Sequence, residues 1–161
     1  MKILSTSLKA LVVVASLAFT AGLAAAVPAV ESQSLAVTAS VTGMCKFSVA
    51  STPLAFGAID PSLASDKVVK ANVLYKCTKG TTSAVVTATG GLTRNMTGLS
   101  PLASSDTLAY TLAFAGGTQV GAGFGTGNDR TLEVTGTITP AQYNNAAAGS
   151  YSEDVTLNIT P

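Results

Sequence analysis

The chain has no histidine and no tryptophan, and only 11% of its 161 residues are charged. The missing histidine removes the usual general base, the Ser-His and Cys-His nucleophile pairs, and the common zinc and copper ligand sets. Carboxylates are few, and Glu153-Asp154 is the sole adjacent pair. Neighbours on a strand point to opposite faces, so a catalytic dyad would need distant residues such as Asp60 and Asp106. The inventory is that of a protein that is not an enzyme and needs neither cofactor nor metal. Scarce charge leaves Ala, Thr, Ser and Gly to make most of the surface, and such a surface tolerates close packing against other protein.

The apolar content is concentrated at the start. Lys2 and Lys9 flank a short polar stretch, residues 10–23 are almost wholly apolar, and Ala24, Ala25 and Ala26 follow. That is the order of a secretory signal. The apolar run of about fourteen residues falls short of the roughly twenty that a membrane-spanning helix needs. Cleavage is expected after Ala26, with Ala29 as the alternative. Removing 26 residues leaves 135, enough for one domain with a modest core. Lys2 and Lys9 leave with the signal, the remaining net charge is −1, and no nucleic-acid partner is implied. Cys45 and Cys77 both lie in the mature part. In an oxidising compartment they are expected to form one bridge, because no histidine and no C-x-x-C spacing supports a metal or redox pair.

The mature chain reads as strands. Apolar residues fail the helical three-four spacing but alternate with period two. The runs are Leu35, Val37, Ala39, Val41; Val69, Ala71, Val73, Tyr75; Leu108, Tyr110, Leu112, Phe114; Leu132, Val134; and Val155, Leu157, Ile159. Between them stand turn signals such as Asp60-Pro61, Lys79-Gly80, Gly90-Gly91, Gly116-Gly117 and Gly127-Asn128. Short punctuated strands predict a β-sandwich. The Gly-rich residues 121–127 lack dinucleotide-loop spacing and are read as a flexible hairpin loop. Asn95 and Asn158 match a glycosylation acceptor pattern and are read as a turn Asn and a strand Asn.

One strand has no fixed partner. Residues 30–42 place Leu35, Val37, Ala39 and Val41 on one side and Ser34, Ala36, Thr38 and Ser40 on the other, and Thr42-Gly43 forms a joint before Cys45. Such a segment can close its own sandwich or pair with the sheet edge of another copy.

In Val41-Thr42-Gly43-Met44-Cys45, Leu54-Ala55-Phe56-Gly57-Ala58-Ile59-Asp60, Tyr75-Lys76-Cys77, Arg94-Asn95-Met96, and the closing residues 136–142 and 149–157, the chain resembles the spore coat protein U domain family. That family includes major subunits of archaic, Csu-type chaperone-usher pili. The resemblance implies an all-β fold: an incomplete immunoglobulin-like sandwich with one disulfide, completed by a donor strand from another subunit. It implies three segments, a signal at 1–26, a donor strand and joint at 27–43, and a pilin domain at 44–161. Leu35, Val37, Ala39 and Val41 would be the donor residues, and Val155, Leu157 and Ile159 would form a groove wall on which a chaperone docks. The implied partners are identical or related pilin subunits, a periplasmic chaperone and an outer-membrane usher. The implied product is a cell-surface pilus supporting adhesion and biofilm formation. Two other readings are a self-contained secreted spore-coat or matrix protein, and a small sugar-binding module using Tyr143 and Tyr151.

Overall fold

A computed structural model describes residues 28–82 and 86–161; the expected export signal lies outside the described residues. The chain divides into two units, Met1–Thr38 and Ala39–Pro161. In the first, the described residues carry no helix or strand and are exposed throughout. The second holds every described strand.

The strands are β1 (Cys45–Phe47), β2 (Lys67–Cys77), β3 (Val86–Ala88), β4 (Thr93–Gly98), β5 (Thr107–Ala115), β6 (Arg130–Ile138), β7 (Tyr151–Ser152) and β8 (Leu157–Ile159). The runs at 69–75, 108–114, 132–134 and 155–159 fall on β2, β5, β6 and the lead-in to β8 with β8 itself. The alternation of Leu35, Val37, Ala39 and Val41, expected as a strand, has no partner among the described residues and carries no strand structure. Six form one antiparallel sheet in the order β1-β2-β6-β5-β4-β7, and β3 pairs with β8 in a second, two-stranded sheet. The fold is therefore all-β and an incomplete sandwich, one sheet large and the other a fragment.

Alternation decides which side of the large sheet is core. On β2, Val73, Tyr75 and Cys77 are buried while Val68, Lys70, Asn72 and Leu74 face out. Tyr75, Leu132, Ile138 and Cys77 are fully buried. Register stacks the inner residues in rows across the strands: Val73 beside Leu132, then Ala71, Val134 and Phe114, then Val69, Gly136 and Leu112. Tyr110 pairs with Arg94 at the next row. Cys45 and Cys77 are directly opposed in the β1–β2 ladder and are disulfide-bonded.

The helical turn α1 (Pro140–Tyr143) starts at Thr139, whose backbone N–H donates to Gln142 Oε1 at 2.7 Å. It buries Tyr143, whose hydroxyl donates to the Leu63 and Ser65 carbonyls, each at 2.8 Å. The Gly-rich residues 121–127 lie in the loop that joins the antiparallel pair β5 and β6, as expected of a hairpin loop, and hydrogen bonds tie that loop to the end of β2. Gly121 N–H donates to the Thr81 carbonyl and Gly123 N–H to that of Cys77. A Cβ at Gly121 would lie 2.7 Å from the Cys77 oxygen, so only glycine lets this backbone lie against the end of β2. Asn95, expected in a turn, is an exposed residue of β4; Asn158 lies on β8 as expected.

Candidate functional site: an open apolar groove

The missing part of the second sheet leaves the core uncovered along a groove of about 760 Å³. Its floor is the inner face of the large sheet, with Ala71, Val73, Val134 and Leu112 from the centre and Met96 and Tyr110 at one end. One wall is the chain leaving β1, from Phe47 through Leu54 to Phe56; the other is residues 153–157, which lead into β8.

Both walls have unused backbone. Among the described residues, β8 is paired to β3 alone, and residues 49–59 make no backbone–backbone hydrogen bond. Backbone N–H and C=O groups left without backbone partners on both sides of an apolar trough can accept one more strand.

Each wall is tethered to the sheet. Phe47 follows the Cys45–Cys77 bridge and opposes Tyr75 in the ladder. At the opposite end, Arg94 of β4 forms an ion pair with Glu153, and Tyr110 of β5 donates its hydroxyl to Glu153 Oε2 at 2.8 Å. The Arg94 and Glu153 side chains keep only 10% and 20% of their exposure. The Glu153 hydrogen bond is the main influence raising the Arg94 pKa. Burial first, then the hydrogen bond to Glu153, pushes Tyr110 up to about 12. The alternation expected of Glu153-Asp154 holds: Glu153 turns in and Asp154 is exposed.

The expected site residues fall as follows. Val155 and Leu157 line the groove, and Ile159, also half-buried, packs against the core. Leu35, Val37 and Val41 are 85%, 83% and 84% exposed, large apolar side chains with no core of their own. Ala39 is exposed as well. Phe56, Leu54 and the Arg94–Glu153 pair were not singled out as site residues by sequence. Phe56 sits in a segment without strand structure, and the members of the ion pair are far apart along the chain. Tyr143 is 3% exposed and offers no face for a sugar. The Asp60 carboxylate serves its own turn, accepting from Ser62, which holds its pKa below the ordinary value. Asp106 accepts from the Ala103 N–H. No metal-ligand cluster occurs among the described residues, and none of their helices is long and apolar enough to cross a membrane.

The Spore Coat Protein U domain family model matches residues 31–158. The chain belongs to the Spore Coat Protein U domain family. The match spans the groove, both of its walls and the exposed alternation that begins at Leu35. No curated protein and no solved structure matches this Spore Coat Protein U domain.

Proposed function

We propose that the protein is an exported structural subunit that polymerises by donor-strand exchange into a chaperone-usher pilus, residues 35–41 of one copy filling the groove of the next. One juxtaposition carries this reading. A core left open between the free side of β8 and the chain of residues 49–59, which makes no described backbone hydrogen bond, occurs in the same chain as an exposed alternation of Leu35, Val37, Ala39 and Val41. Family membership supports it, because the domain occurs in Csu-type pilus subunits as well as in coat proteins. Burying each of the three larger donor residues contributes about 1.5–3 kcal/mol before ordering costs. Backbone pairing to the wall adds direction and register.

On this reading the subunit crosses to the periplasm, a chaperone covers the groove by docking along Val155, Leu157 and Ile159, and an outer-membrane usher exchanges the chaperone for the next donor. The role is architectural, without catalysis, and the fibre would support surface adhesion and biofilm formation. The test is electrophoresis in SDS with and without strong heating, on the mature chain and on a chain lacking residues 27–42. The mature chain is expected to give a ladder that collapses on heating, and the deletion none. A ladder from the deletion, or a stable chaperone-independent monomer with residues 35–41 folded into its own groove, refutes the proposal.

A further inference from the structure

The floor of the groove is not uniform. Gly136 lies at the centre of the row Val69, Gly136, Leu112, and its missing side chain is replaced from above. A Cβ at Gly136 would lie 2.8 Å from Phe56 Cζ and 2.9 Å from Leu54 Cδ2. Phe56 is held there by its edge-to-face contact with Tyr110, 5.8 Å between ring centres. At this row the acceptor's own side chains occupy the trough. One row away, the small residue Ala71 stands beside Val134 on the open floor.

From this relief we infer that the groove selects the register of the incoming strand, and that Ala39 of the donor sits over the row that Phe56 and Leu54 have filled. This rests on the donor-strand reading and specifies it. Plugs two residues apart advance by about 6.8 Å, the spacing of successive inner-face rows of the floor. With Ala39 over Gly136, Val37 falls over Ala71 and Val134, Leu35 over Val73, and Val41 beside Tyr110. Direction follows from the wall. Glu153 is fixed at the Tyr110 row and β8 lies beside β1, so the chain of the second wall runs from the Tyr110 end towards the Phe47 end. Every described strand pair here is antiparallel, and a strand added antiparallel to β8 runs the opposite way, with Leu35 towards the Phe47 end and Val41 towards Tyr110. In that direction, the one small donor plug meets the one filled row.

The experiment compares SDS-resistant ladders of the full mature chain carrying single donor substitutions, all at exposed positions outside the folded strands. Ala39→Leu is expected to cut ladder formation by about tenfold or more through overpacking, and Val37→Leu to change it by no more than roughly twofold. Val37→Asp places a charge in the trough in every register that turns the Leu35, Val37, Ala39 and Val41 side inwards and serves as the control. Leu54→Ala or Phe56→Ala in the Ala39→Leu chain, whichever folds as judged by circular dichroism, is expected to restore the ladder. A wild-type ladder from Ala39→Leu together with loss in Val37→Asp overturns the register and leaves strand exchange standing. A wild-type ladder from Val37→Asp overturns strand exchange through the Leu35, Val37, Ala39 and Val41 side, on which the donor-strand reading rests.

Discussion

Replacing Glu153 with alanine strands a positive charge. Arg94 points its guanidinium into a region where its side chain keeps 10% of its exposure, and its Nε has no partner among the described residues. Its compensation comes from Glu153 and from the carbonyls of Thr89 and Gly91. Removing one partner of a buried pair costs about 3–5 kcal/mol, mostly the penalty for the charge left behind. The remaining exposure of both groups and the two carbonyls place this pair at the low end, about 3 kcal/mol. Glu153→Gln also removes the counter-charge, but its one amide oxygen can still accept from Arg94 or from the Tyr110 hydroxyl, so its cost is expected to be somewhat smaller, about 2 kcal/mol. Arg94→Met with Glu153→Met removes both charges and is expected to be milder than Glu153→Ala alone. With no tryptophan to report, far-UV circular dichroism during urea unfolding of the monomeric fraction is the assay. At an m-value of about 1.5–2 kcal/mol/M, the alanine variant's midpoint falls by roughly 1.5–2 M. A shift below about 0.5 kcal/mol, or a double variant less stable than Glu153→Ala, would show that the pair does not anchor this wall.

Two further perturbations act on the same frame. Reducing the Cys45–Cys77 bridge, which links residues 32 apart, is expected to lower unfolding stability by about 3–4 kcal/mol, measured by urea titration with and without reductant; an unchanged midpoint refutes it. Tyr110 titrates higher in the folded chain, at about 12, than in the unfolded chain near 10. Its contribution is thus complete below pH 10 and is lost as pH rises from about 10 to 12, because the unfolded chain releases the proton first. Tyr110→Phe should flatten stability against pH in that window, and an unchanged slope would contradict the assignment.

The strands that bury a regular face were legible in the sequence. Val73 and Tyr75, then Leu108, Tyr110 and Leu112, alternate because one face meets the core and the other meets water. β4 escaped because its inward residues are Arg94 and Met96, and a charged inward residue breaks the pattern until its partner is known. That partner, Glu153, is 59 residues away, and spacing carries no trace of it. The groove floor was legible in part: Ala71, Val73 and Leu112 follow from alternation, whereas Phe56 reaches Gly136 from a segment with no periodic signature. The place of the Gly-rich loop between two paired strands was legible from composition, whereas the hydrogen bonds that set Gly121 and Gly123 against the end of β2 leave no mark on spacing.

An open apolar core is under pressure to collapse, since every exposed wall residue gains by moving onto the floor. The two tethers oppose this from opposite ends. The disulfide fixes β1 to β2 at the Phe47 end, and the Arg94–Glu153–Tyr110 cluster fixes the lead-in to β8 at the other. Between them, residues 49–59 have no described backbone hydrogen bonds, so there the wall's position rests on side chains such as Phe56 and Leu54. Such a frame keeps the trough open at both ends and adjustable in the middle. On the donor-strand proposal, an incoming strand meets walls already held apart, and its affinity would reflect the fit of its side chains to the floor. If both tethers hold the walls, losing either one should lower strand capture more than its effect on global stability alone accounts for, because each also fixes where one end of the groove lies.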